Sequence, residues 1–118
     1  MHRMKLGWIV LFIGTVATAP FALDRNALDE ADRLYEDDRP LDAIRALEAV
    51  LPTAGGGPDR AEVLWRLARA TLAVGESQED AGEDPRIVLA TYERGEGFAV
   101  QSVAADPANH LGYYWQSA

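Results

Sequence analysis

Residues 61–70 read AEVLWRLARA, and the stretch continues through Thr71 and Leu72. Val63, Leu64, Leu67, Ala68, Thr71 and Leu72 recur at spacings of three and four, the period of one buried helix face. Asp59, with Glu62 three residues on, reads as the capping end of this helix, and Gly75 reads as its left-handed stop. Upstream, Pro52 and the run Gly55-Gly56-Gly57-Pro58 form a loop. Before it lies a helix that starts at Pro40 and carries Leu41, Ile44, Leu47, Val50 and Leu51 on one side. Ala27, Leu28, Ala31, Leu34 and Tyr35 stripe a still earlier helix, capped by Asp24. The acids Glu36-Asp37-Asp38 end it, because negative charge sits badly at a helix C-terminus.

Downstream, residues 76–84 (ESQEDAGED) are polar and acidic and read as a solvated loop. Asp84-Pro85 then supplies a cap and a first helical residue for a long helix over residues 85–105. Gly95 and Gly97 lie inside that helix at about 1 kcal/mol each relative to Ala, so they imply a close helical neighbour or a break. Asp106-Pro107 repeats the start signal for a fifth helix, holding Leu111, Tyr113, Tyr114 and Trp115. No segment alternates like a strand. The expected fold is all-α, about five helices after an N-terminal segment.

Composition narrows the function. The chain has 118 residues, no cysteine, 11 Lys+Arg against 19 Asp+Glu, and a formal net charge of −8. One small domain is the upper bound at this length. The absence of cysteine excludes disulfides, thiolate metal sites and thiol nucleophiles. The acidity opposes sequence-independent nucleic-acid binding, which needs a basic footprint. Residues 1–22 have a basic head (His2, Arg3, Lys5), an apolar run from Leu6 to Val16 and small residues after it, the order of a secretion signal cut after Ala22. The 18 uncharged residues Leu6–Leu23 also suffice for a membrane anchor. Either places residues 23–118 in an exported, periplasmic or otherwise extracytoplasmic compartment.

A repeat is visible in the same strings. Placing Trp65 on Trp115 also places Ala68 on Ala118, at an offset of 50 residues, and Ala31 falls on Ala68 at an offset of 37. The shorter offset is near the period of about 34 residues of a tetratricopeptide unit, and the longer equals that period plus an insertion. On Ala31, Leu34, Tyr35, Ala43, Leu47 and Val50, then Leu64-Trp65-Arg66-Leu67-Ala68, Gly75 and Asp106-Pro107, the chain resembles the tetratricopeptide repeat (TPR) family over residues 26–118. The runs EVLWRLARA and YERG…ADP…YYW are similar to regulator-of-microtubule-dynamics proteins and to exported bacterial TPR proteins associated with TRAP-type solute transporters. The lipid-bearing cysteine of many exported examples is absent.

The resemblance implies an antiparallel helix-pair solenoid whose first helices line a concave groove. Its groove positions fall on Leu28, Asp32 and Tyr35, then on Glu62, Trp65, Arg69 and Leu72, and finally on Trp115. Trp, Tyr and Arg are the residue types that anchor binding hot spots. Helical spacing equally allows Trp65 and Trp115 to pack between helices as core. A third unit ending at Ala118 after one helix is expected to be incomplete, with Tyr113, Tyr114 and Trp115 awaiting further chain or a second copy of the protein.

No catalytic constellation is visible. His110 stands alone and reads as a surface residue. The GGGP run lacks the Lys-Ser/Thr of a phosphate loop. The acids of residues 76–84 lack the ligand spacing of a calcium loop. The sequence therefore predicts a non-enzymatic scaffold with no metal or cofactor, holding a protein or peptide partner. The alternative is an accessory role in a TRAP-type system, handing over small ligands.

Overall fold

A computed structural model describes residues 22–118. Apart from Ala22, the expected signal or anchor lies outside these residues. Five α-helices follow one another: α1 (Arg25–Glu36), α2 (Pro40–Val50), α3 (Gly57–Asp80), α4 (Pro85–Ala105) and α5 (His110–Gln116), with a 3-10 turn over Leu51–Thr53. Among the described residues there is no strand, and no helix is long and apolar enough to cross a membrane.

Three of the expected starts hold. The Asp24 carboxylate accepts hydrogen bonds from the backbone N–H groups of Asn26 and Ala27 at 3.0 and 3.3 Å. Pro40 opens α2. Asp84 accepts from the Arg86 N–H at 2.9 Å, with Pro85 as first helical residue. Helix α4 runs unbroken through Gly95 and Gly97.

Three expectations are corrected. Helix α3 does not wait for Asp59: Gly57-Pro58 opens it, and Asp59 lies within its first turn. Nor does α3 stop at Gly75. It runs to Asp80, so most of the expected 76–84 loop is helix. The stop is Gly82, at φ +73°, where the Gly82 N–H donates to the Glu79 carbonyl and the Glu83 N–H to the Gln78 carbonyl, both at 3.0 Å. This is the paired closure of a helix whose next residue turns left-handed. Helix α1 ends the same way on Asp38, at φ +60°, with Asp38 and Arg39 donating to the Tyr35 and Leu34 carbonyls. Finally, α5 begins at His110 and not near Pro107. Asp106 folds residues 106–108 into a turn by accepting from the Ala108 N–H at 3.1 Å, and Asn109 caps α5 through the Leu111 N–H at 3.0 Å.

Helices α3 and α4 share the most extensive interface and run antiparallel. Residue numbers fall along one as they rise along the other: Ala61 meets Ser102, Leu72 meets Gly95, and Gly75 meets Tyr92. The glycines permit this approach. A Cβ on Gly75 would stand 2.6 Å from the Tyr92 ring, and one on Gly95 would stand 2.9 Å from the Leu72 side chain. Gly75 is therefore a contact residue inside a helix, which is why its composition signal misleads. Beneath this pair, Leu28, Ala31, Leu47, Val63, Leu64 and Leu67 form the core with Leu23 and Ala54. The fully buried Ser102 hydroxyl donates to the Ala61 carbonyl at 3.1 Å and pins α4 to the start of α3.

Two substitutions in α4 should act with opposite sign. Gly95→Ala overpacks against Leu72 and should lower the unfolding free energy by about 1–2 kcal/mol. Gly97→Ala meets nothing within 4 Å and should raise it by about 0.5–1 kcal/mol through helix propensity. Asp38→Gly should also stabilise, by about 0.5–1 kcal/mol, because it removes a side chain from a left-handed position. Urea unfolding of the three variants measures all three effects.

Candidate functional site

Helices α1 and α3 lie side by side and run parallel, since their contacts keep a nearly constant separation along the chain. Arg25 reaches Asp59 at 3.3 Å, and Asp32 reaches Arg66, both pairs being 34 residues apart. Asp32 also reaches Arg69, 37 residues on. Asn109, at the start of α5, continues the series by donating to Glu62 of α3 at 2.7 Å. One face thus receives side chains from α1, α3 and α5.

At its centre, the Asp32 carboxylate accepts from Arg66 through Nε at 3.0 Å and Nη2 at 3.3 Å, and from Arg69 Nη2 at 2.5 Å. Arg66 also donates to the Glu62 carboxylate at 3.1 Å and to the Glu62 backbone carbonyl at 2.9 Å. The Trp65 indole N–H donates to Glu62 at 3.1 Å. Two carboxylates, one on α1 and one on α3, therefore organise two guanidiniums, an indole and an amide.

The rings complete the arrangement. The Arg69 guanidinium lies 4.1 Å from the Tyr35 ring centre and 5.0 Å from that of Trp65, and the Arg66 guanidinium lies 4.3 Å from the Trp65 ring centre. Aromatic faces carry negative charge density, so alternating rings and cations attract, more strongly where water is displaced. The Arg66 and Arg69 side chains are only 12% and 15% exposed. Burial pushes the Asp32 and Glu62 carboxyls up, but hydrogen bonds outweigh it: from Arg66 and Arg69 on Asp32, and from Arg66, Trp65 and Asn109 on Glu62. Both acids are held below their ordinary values and stay ionised.

Of the residues singled out in the sequence, Asp32, Tyr35, Glu62, Trp65 and Arg69 meet in this cluster. Trp65 is 7% exposed, so most of its ring is packing surface and little of it faces solvent. Leu28 is corrected: it is buried with Ala31 and Leu64 in the core, because the apolar stripe of α1 turns inward, and it lines no groove. Leu72 and Trp115 share a different cavity of about 300 Å³ with Glu76, Tyr92 and Glu96. A second cavity of about 420 Å³ joins Tyr35, Glu36, Asp38 and Asp80 to the same Glu76. Glu76 borders both cavities. Beside it the Tyr92 hydroxyl donates to Glu79 at 2.8 Å. That hydrogen bond, then burial and the charges of Glu79, Glu76 and Asp80, push the Tyr92 pKa up to about 12.

Arg66 and Asn109 are the residues that sequence reasoning missed. The available signal was opposite charge at the repeat offset: Arg66 follows Asp32 by 34 residues. His110 is exposed, as expected. Among the described residues no three His, Cys, Asp or Glu side chains come together as a metal site would require. Comparison with protein-family models, with curated proteins and with solved structures finds no match to this chain.

Acid should expose the role of the cluster. Folded-state values of Asp32 and Glu62 below the unfolded ones mean that their stabilisation is present above the unfolded pKa and is lost as pH falls through the folded pKa. The unfolding free energy should therefore drop below about pH 4. Asp32→Asn should cost about 2 kcal/mol at pH 7, since it leaves two half-buried guanidiniums short of a counter-charge, and it should flatten the acid limb. Urea midpoints at pH 7 and pH 3 for the two proteins measure this.

Proposed function

We propose that the chain is an exported, non-enzymatic, TPR-like scaffold that holds a protein or peptide partner in a groove lined by α1, α3 and α5. The observation that carries this reading is the contact register. Two cross-helix ion pairs join residues 34 apart, and a tetratricopeptide unit is about 34 residues long. Antiparallel packing within α3–α4, with parallel packing of α1, α3 and α5, is what stacked helix pairs produce. In such a stack α2 and α4 take the outer side, the first helices share the inner one, and Tyr92 and Glu96 of α4 reach the base of the groove between α3 and α5.

Tyr35, Leu72 and Trp115 supply apolar and aromatic contact area on that inner side, around cavities of about 300 and 420 Å³. The Asp32–Arg66–Arg69 cluster serves as the wall of the groove, fixing the spacing of α1 and α3, and it leaves the ligand contacts to its neighbours. Export is supported by the basic head, the apolar run and the small residues of the first 22 positions.

Peptides selected from a random library on the full-length protein test the proposal, with their binding site mapped by amide chemical shifts. The shifts should concentrate on Tyr35, Leu72, Glu76 and Trp115, and Trp115→Ala should weaken the selected peptides about tenfold. Shifts confined to the outer faces of α2 and α4, or no selected peptide, would overturn the groove assignment.

A further inference from the structure

Resting on that groove, we infer its partner class: the trough from Tyr35 through Glu76 to Trp115 takes a peptide segment bearing Lys or Arg. The charges on this face are segregated. Its arginines, Arg66 and Arg69, are engaged by Asp32 and Glu62. The carboxylates that border the two cavities are Glu36, Asp38, Glu76, Asp80 and Glu96. None of these five has a cationic partner among the described residues. Among the described residues the trough is thus left with uncompensated negative charge and no free cation, a field that attracts a positive ligand and repels an acidic one.

Two further features favour a peptide over a bare cation. First, part of the floor of the smaller cavity is apolar and aromatic. Leu72, Tyr92 and Trp115 line it, with Glu76 and Glu96 beside them. An aliphatic stem can lie on such a floor while its cationic head reaches the carboxylates and the ring faces. Second, the Trp115 indole N–H is buried and has no acceptor among the described residues. A buried donor without an acceptor is costly. Once the Trp115 ring turns its N–H toward the trough, a peptide backbone carbonyl supplies the acceptor, and a simple ammonium ion does not.

Three labelled hexapeptides of one backbone, blocked at both ends and carrying Lys, norleucine or Glu at alternate positions, test the assignment against the full-length protein by fluorescence anisotropy. The Lys peptide should bind at least about tenfold tighter than the other two at low salt, and about tenfold of its affinity should be lost by about 0.3 M salt. Glu76→Gln with Glu96→Gln should weaken it about tenfold with helicity unchanged. Trp115→Phe, which keeps a ring and removes the N–H, should weaken it about threefold, and Glu48→Gln on α2 should leave it unchanged. Norleucine and Lys peptides binding equally, with the double variant unaffected, would end the charge assignment and leave the groove standing. Failure of all three peptides, and of the library-selected ones, to shift this face would end both. Tight binding of the Glu peptide would also overturn the inference.

Discussion

One carboxylate between two arginines sets the geometry of the face shared by α1, α3 and α5. Asp32 on α1 is the counter-charge for both Arg66 and Arg69 on α3, and neither guanidinium has much water to fall back on. Attraction between half-buried charges is stronger than at the surface, and loss of one partner is correspondingly more damaging. The two helices must therefore lie where both arginines can reach, with the Tyr35 and Trp65 rings filling the spaces between them. Hydrophobic burial brings α1 and α3 together, and this cluster selects their register.

Helices α4 and α5 are placed by small residues more than by charge. Gly75 and Gly95 let α3 and α4 approach until a Tyr ring and a Leu side chain lie where a Cβ would otherwise be. Gly112 does the same for α5, where an added Cβ would meet Val103 at 3.0 Å and the Ser102 hydroxyl at 3.1 Å. Close packing of this kind has few alternatives, because one methyl group too many forces backbone movement. Charge sets register on one side of α3, and the fit of small residues sets separation on the other.

The helical class and most element boundaries were readable because they rest on local rules. Asp24, Pro40 and Asp84-Pro85 start helices for reasons contained in four residues. The errors arise where a residue answers to a distant neighbour. Gly75 resembles a stop until Tyr92 is placed over it, and the true stop, Gly82, is hidden in an acidic run that resembles a loop. Leu28 fits a groove position by family pattern, but its neighbours in space make it core. Residue type singled out Trp65 and Arg69 as groove contacts, but packing makes Trp65 largely buried and Asp32 engages Arg69. Arg66 was not singled out, because only its pairing with Asp32 distinguishes it from a surface arginine. The solenoid arrangement and the groove are carried by the 34-residue contact register and remain proposals.

Helix α3 touches each of the other four helices of the described residues, and that centrality restricts how the chain can change length. A single inserted residue within it would rotate everything beyond by roughly 100°, swinging Gly75 away from Tyr92 or Arg69 away from Asp32. Gly55 and Gly56, just ahead of α3, would each hold a Cβ with nothing within 4 Å of it, and this link can absorb extra residues without moving any helix. Insertions and deletions during divergence should collect there and spare the central rod, so its length should outlast its composition.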